Sequence, residues 1–257
     1  MNSNVRLDSL LVQRGMAPSQ ERARALIMAG SVLVKERVVD KAGALVSPEA
    51  EIRLRGVDLP YVSRGGVKLK GALEHFRIDV RDLVVLDVGS STGGFTDCLL
   101  QEGAAKVYAL DVSYGQLAWK LRENPRVVPI ERTNIRFFTG VGITENIDLA
   151  TIDASFISLK LVIPAVVKLL TAGASLLALI KPQFEVDKSE VGKHGVVQDP
   201  ALHRRVIEEM TIFCQENRLE VVGVCESPLT GPAGNKEFFI YIGTLPLFML
   251  DDMRGSE

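Results

Sequence analysis

From residue 83 onward the chain alternates short apolar runs with helix-like stretches, and this rhythm restricts the fold more than any other feature of its 257 residues. The runs at 83–88 (LVVLDV), 106–111 (KVYALD), 126–130 (RVVPI), 147–152 (IDLATI), 174–180 (ASLLALI), 219–225 (LEVVGVC) and 237–243 (EFFIYIG) read as strands. Helices fit at 66–76, 94–102, 115–122, 158–170 and 199–216. Apolar strands separated by helices form a mostly parallel sheet covered on both faces, so the spacing predicts a doubly wound α/β fold. Only about ten residues join the last two strands, too few for a crossover helix, so that pair must be antiparallel.

Residues 161–180 imitate a membrane span, with Lys168 as their lone charge. Pro164 and the Thr171–Ala172–Gly173 break divide them into a helix-like half and a buried strand instead. No second candidate span exists, so no membrane partner is expected. The amino-terminal MNSNVRLDSLLVQRG lacks the apolar stretch of a secretory leader. Cys98, Cys214 and Cys225 form no CxxC pair, which argues against a disulfide framework or a zinc site and fits a reducing cytoplasm. His194 reads as a surface loop residue, since no partner stands at metal-site spacing, and no metal is expected.

The net charge of −2 is unevenly spread. Residues 1–64 carry ten Arg/Lys against seven Asp/Glu, while the remainder is acidic. RGVDLPYVSRGG interrupts any regular pattern through Gly56, Pro60, Gly65 and Gly66, which places a domain boundary near residue 60. The first segment reads as two short helices, the second capped by Ser19 and ended by Gly30, followed by a small β element. Arg22 and Arg24 of the second helix, with Lys35 and Arg37 of the next hairpin, would make a basic cluster able to track a phosphate backbone. RLDSLLVQRGMAPSQERARALIMAGSVLVKERVV resembles the S4-like RNA-binding module across about residues 5–55. That resemblance implies an α+β domain over 1–60 that grips structured RNA through Arg6, Arg14, Arg22, Arg24, Lys35 and Arg37, with Arg64 beyond it.

After the first long strand comes Asp87-Val88-Gly89-Ser90-Ser91-Thr92-Gly93-Gly94-Phe95. A dinucleotide fold needs a second glycine where Ser91 stands, so that backbone can approach a pyrophosphate. The pattern instead resembles the S-adenosylmethionine loop of class I methyltransferases, and the antiparallel last strand fits that Rossmann-like sheet. The resemblance implies a cofactor site from Asp87, Gly89, Ser90, Ser91, Gly93, Gly94 and Phe95. Asp111 at the second strand end would take ribose hydroxyls, Asn134 the adenine, and Asp153 would face the methyl-transfer cleft.

The fourth strand ends in Asp153-Ala154-Ser155-Phe156, which is neither the stacking clamp of base-amino methyltransferases nor the cysteine of carbon-5 enzymes. A hydroxyl acceptor remains, and a weakly acidic ribose 2′-OH requires a positioned base. Topology sends four charged residues to the carboxyl edge of the sheet: Asp153, Lys181 after the fifth strand, Glu237 opening the reversed strand, and Lys68 near the start of the leading helix. SRGGVKL (63–69), DVGSSTGGFTD (87–97), TIDASFISL (151–159), ALIKPQFE (178–185) and NKEFFIY (235–241) resemble the FtsJ-type 2′-O-ribose methyltransferases. Lys68, Asp153, Lys181 and Glu237 match that family's K-D-K-E tetrad, the S-R-x-x-x-K-L spacing selecting Lys68 over Lys70.

With its amino-terminal module the chain is similar to the TlyA haemolysin-like family of ribosomal RNA 2′-O-methyltransferases. This implies a linker and leading helix over 61–82, a methyltransferase domain over 83–257, and ribosomal RNA within subunits or their precursors as partner. In that reading Lys181 is the base, Asp153 and Lys68 orient the hydroxyl and the lysine, and Glu237 balances their charge. The rivals are a membrane-active haemolysin, suggested by the family's historical name, and an RNA-binding protein whose methyltransferase fold is inactive.

Overall fold

The computed structural model describes residues 4–17, 19–28, 30–35, 37–54, 60–231 and 233–243. Contacts divide the chain into two compact units, Met1–Asp58 and Leu59–Glu257. Residues 55–59 of the expected seam lie outside the described residues.

In the first unit β1 (Val5–Arg6) leads into α1 (Leu7–Gln13) and α2 (Gln20–Met28). There follow β2 (Val32–Val34), β3 (Arg37–Val38), β4 (Leu45–Val46) and β5 (Ile52–Leu54). β2 is central in a three-stranded sheet, β3-β2-β5, and β1 pairs with β4. Leu7, Leu11, Ala23, Leu26, Ile27 and Val32 form its core, the i, i+4 spacing of Leu7 and Leu11 placing both on one helix face. Ser19 Oγ accepts the Arg22 N–H, the expected cap, and Gly30 adopts a left-handed φ of 68°.

The second unit begins with α3 (Arg64–Phe76), then β6 (Val84–Val88), α4 (Gly94–Gln101), β7 (Lys106–Leu110), α5 (Trp119–Arg122) and β8 (Val127–Ile130). It continues with β9 (Leu149–Ile152), α6 (Leu159–Val167), β10 (Ser175–Ile180), α7 (Pro200–Glu216), β11 (Val221–Glu226) and β12 (Phe238–Ile242). Seven strands lie in the order β11-β12-β10-β9-β6-β7-β8, and β12 runs antiparallel to both its neighbours. The expected Rossmann-like sheet with a reversed last strand is present.

Successive strand residues face opposite sides. Val85, Leu149, Leu177 and Phe239 join Leu69, Leu73 and Leu99 on one face, while Leu86, Ile152, Leu176 and Ile240 join Val162, Ile163 and Met210 on the other. β6–β8 extend one way from the centre and β9–β10 the other, so the order reverses between β6 and β9, where such sheets open a ligand crevice at their carboxyl edge.

Three helices differ most from expectation, α6 among them, which ends at Val167 rather than at residue 170. α3 starts two residues early because Ser63 accepts the Gly65 N–H as its cap. Gly66 lies inside this helix because a Cβ there would fall 2.3 Å from the Tyr61 ring. α5 keeps only the last four of eight expected residues, since Gly115 has a φ of 73° and donates its N–H to Glu131, and Ala118 is not helical. The apolar stretch 161–180 divides between α6, with Pro164 inside it, and β10. No helix of the described residues is long and apolar enough to cross a membrane.

Candidate active site

The β6–α4 turn forms the floor of the crevice. Gly89 has a φ of 85°, and a Cβ there would meet the Asp153 carbonyl oxygen at 2.6 Å, so the two strand ends approach through bare backbone. Beside it opens a cleft of about 540 Å³, lined by Gly89, Ser91, Asp111, Asn134 and Asp153 together with Val112, Ile135, Ser155, Phe156 and others. Asp111, just past β7, is held in place: its two carboxylate oxygens accept the N–H groups of Ser91 at 2.8 Å and Ser113 at 2.7 Å. An ionised carboxylate offers about four acceptor positions, so capacity for a diol remains. Asn134 Oδ1 accepts the Arg136 N–H at 3.1 Å and caps a 3₁₀ turn at Ile135–Phe137.

Five expected cofactor residues do not line this cleft. Asp87 is fully buried beneath it, accepting hydrogen bonds from Thr96 Oγ1 at 2.6 Å and Thr151 Oγ1 at 3.1 Å, and burial pushes its carboxyl up to about 7. Phe95 packs into the core against Phe239. Ser90, Gly93 and Gly94 shape the turn: the Ser90 carbonyl accepts the Gly93 N–H, a Cβ on Gly93 would strike Leu121, and one on Gly94 would strike Ser63 Oγ.

The four charged residues assemble as two ion pairs. Lys68 Nζ donates to Glu237 Oε2 at 2.6 Å, with only 7% of the lysine and 1% of the glutamate exposed. Lys181 Nζ lies 2.6 Å from Asp153 Oδ1 and donates to Ser155 Oγ at 2.8 Å. The approach to Asp153 is an ion contact outside hydrogen-bond angles, for that buried oxygen has no hydrogen-bond donor. β10–β12 pairing matches Ile180 with Phe238, so the same register sets Lys181 opposite Glu237 one residue beyond. Lys70 points elsewhere, to Glu102 at 2.8 Å and Glu74 at 3.3 Å.

Sequence reasoning passed over three residues that brace this edge. Glu185 accepts from Ser158 Oγ at 2.6 Å and from the Leu159 N–H at 2.8 Å, tying the turn after Lys181 to the start of α6, and burial raises its carboxyl. Asn235, two residues before Glu237, holds the 181–199 loop: Oδ1 accepts the Val197 N–H and Nδ2 donates to the Gly195 carbonyl, both at 2.9 Å. Ser155 is the third. Their placement beside motif residues in DASF, KPQFE and NKE was the available signal. His194 is an exposed loop residue, and His203 is buried with Nε2 on the Val197 carbonyl.

In the first unit Arg6 and Arg24 both donate to the buried Asp8, at 2.8 and 3.1 Å, which holds that carboxyl well below the usual range. Arg14 donates to the Ala50 and Pro48 carbonyls. Arg22 is half-buried, and Lys35 and Arg37 are exposed. In the second unit Arg64 is exposed and reaches the Thr230 carbonyl.

The cleft suits a sulfonium nucleoside better than a dinucleotide: it has an anchored acid, apolar walls, a glycine floor that a Cβ would fill, and Arg136 as the sole cation among the lining residues. Together with the reversed β12, this makes the second unit a class I S-adenosylmethionine-dependent methyltransferase. The model of the FtsJ-like methyltransferase family matches residues 61–244, and that of the S4 domain residues 5–52. The chain belongs to the TlyA family of FtsJ-like methyltransferases bearing an S4 domain.

It is 46% identical over 245 residues to the 16S/23S rRNA (cytidine-2′-O)-methyltransferase TlyA of Mycobacterium tuberculosis, covering 95% of this chain and 91% of that one. It is 48% identical over 238 residues to YqxC of Bacillus subtilis, provisionally described as an rRNA methyltransferase, covering 92% and 85%. A solved structure from Streptococcus thermophilus, provisionally described as a hemolysin, superposes with a TM-score of 0.73 at 38% identity, over 99% of this chain and 96% of that one.

Proposed function

We propose that this protein methylates a ribose 2′-hydroxyl of ribosomal RNA, within subunits or their precursors, in the cytoplasm. The single observation that carries this reading is the pairing of Lys181 with Asp153 at the rim of the cleft, beside the buried Lys68–Glu237 pair. The rRNA 2′-O specificity of the Mycobacterium tuberculosis relative supports it.

S-adenosylmethionine supplies an electrophilic methyl group on a sulfonium centre. Gly89, Ser91, Asp111 and Asn134 would hold it, Asp111 through ribose hydroxyls. The chain's own contribution is proton handling and orientation. In its neutral amine form Lys181 Nζ takes the 2′-OH proton as the oxygen takes the methyl group from sulfur, Asp153 stabilises the ammonium so formed, and Lys68 with Glu237 holds the charge of the dry edge in balance. The S4 unit would grip structured RNA; Lys35 and Arg37, exposed on the β2–β3 hairpin, are its foremost phosphate contacts. The proposed division is an S4-like domain over 1–60, a linker and leading helix over 61–82 that brings Lys68 to the site, and a methyltransferase domain over 83–257.

The test supplies unmodified ribosomal subunits with labelled S-adenosylmethionine and maps alkali-resistant linkages, since a 2′-O-methyl group blocks cleavage. Wild-type protein should create such a linkage, and Lys181→Ala should abolish it while calorimetry shows the cofactor still bound. Retained turnover would remove Lys181 from the base role. A wild-type protein that binds cofactor without transferring label would favour an inactive fold.

A further inference from the structure

We propose that Ser155 is a positioning residue for the methyl transfer, its hydroxyl setting the direction in which the Lys181 amine presents its lone pair. The inference rests on the reading of Lys181 as the base. Lys181 makes two side-chain contacts of different kinds. Asp153 Oδ1 lies 2.6 Å away outside hydrogen-bond angles, and its Coulomb attraction is only weakly directional. Ser155 Oγ accepts from Nζ at 2.8 Å with hydrogen-bond geometry. Charge compensation therefore comes from Asp153 and direction from Ser155.

The consequence follows from the tetrahedral amine. A neutral lysine carries two N–H groups and one lone pair, staggered about the Cε–Nζ bond, and its ammonium form carries three N–H groups. Once Ser155 accepts one N–H, the lone pair has two positions left. The one nearer Asp153 sets it against a negative charge, so the second N–H belongs there and one position remains for the lone pair. When the substrate O–H bond breaks, its proton forms the third N–H at that position, and both earlier contacts persist in the ammonium. No rotation is needed during transfer.

The frame holding the two residues is rigid for its own reasons. Ser155 stands three residues after the end of β9 and three before the cap of α6, and lines the cleft. Glu185 ties Ser158 and Leu159 to the turn that follows Lys181, so the segments bearing Ser155 and Lys181 are joined a second time. Phe156 next door, 90% exposed with a φ of 64°, packs at 5.1 Å from Phe184 in that same turn.

The experiment compares Ser155→Ala, Ser155→Thr and Lys181→Ala on unmodified ribosomal subunits with labelled S-adenosylmethionine. Calorimetry measures cofactor affinity, and melting curves check the fold. Ser155→Ala should lower kcat roughly ten- to a hundredfold with KM for the subunits and cofactor affinity unchanged, the pattern of lost orientation rather than lost binding. Ser155→Thr keeps the hydroxyl and should recover most of kcat. A Ser155→Ala protein with wild-type kcat, or equal losses in both serine variants, would overturn the inference. Turnover retained by Lys181→Ala would sink the base reading itself, whereas an inactive Lys181→Ala beside an indifferent Ser155→Ala would sink only the role of Ser155.

Discussion

Lys68 Nζ rests 2.6 Å from Glu237 Oε2, joining residues 169 positions apart in an ion pair that water hardly reaches. Such a pair costs desolvation on both sides, and removing one partner leaves the other charged and unmatched in a dry site. Glu237→Ala should destabilise the protein by about 3–5 kcal/mol, while Lys68→Met combined with Glu237→Leu should regain much of that without regaining activity. Urea denaturation of the single and double variants measures both. A double variant no more stable than Glu237→Ala would show that the loss comes from packing rather than from the orphaned lysine.

Asp87 predicts a pH dependence with a definite sign. Burial, chiefly, and then the nearby Asp153 charge raise its carboxyl from 3.8 to about 7 in the folded protein, against the two threonine hydroxyls that favour the anion. Between those values the native state keeps a proton that the unfolded chain has released. This group's contribution to stability is therefore full below 3.8 and is lost as pH rises through about 7. Asp87→Asn should flatten that slope, gaining on the order of a few kcal/mol relative to wild type in mildly alkaline buffer. Urea midpoints across this range, read for both proteins, check it; parallel curves would exonerate Asp87.

Gly89→Ala tests the floor of the cleft. The new methyl group meets the Asp153 carbonyl oxygen at 2.6 Å and must also hold a φ of 85°. Backbone strain of this kind costs about 1–3 kcal/mol, and the β6 and β9 ends must separate to relieve it. The expected outcome is a lower melting temperature together with weakened S-adenosylmethionine binding by calorimetry. Unchanged affinity would mean that the cofactor does not sit on this turn.

Asn235 offers a donor and an acceptor at once, and the 181–199 loop uses both. Asn235→Asp keeps the acceptor for Val197 but turns a carboxylate oxygen toward the Gly195 carbonyl, and Asn235→Leu loses both bonds. Each lost buried partner costs about 1–3 kcal/mol. Hydrogen exchange should quicken at Val197 in Asn235→Leu, and much less in Asn235→Asp. Identical protection in both variants would show that Asn235 does not tether the loop.

The seven strands, the reversed last pair and the turn at Gly89 were legible in the sequence because they depend on local pattern. Apolar periodicity, short connections and small residues act within a few positions of themselves. The gathering of Lys68, Asp153, Lys181 and Glu237 at one edge was legible as well, since strand direction sends Asp153, Lys181 and Glu237 there and the leading helix begins at the same edge with Lys68 in its first turns. Their division into Lys68–Glu237 and Lys181–Asp153 was not, because register between β10 and β12 and the angle of α3 decide which charge meets which. The same holds for Asp87, which the loop pattern offers to a cofactor and which the packing of α4 and β9 instead surrounds with Thr96 and Thr151. Arg6 and Arg24 look available in sequence, yet Asp8 holds both, a contact between residues up to 16 positions apart. Sequence by itself determined which chemistry reaches the sheet edge. Only the tertiary structure decided the pairing, because hydrogen-bond geometry and burial are properties of contacts between segments, and no segment carries them alone.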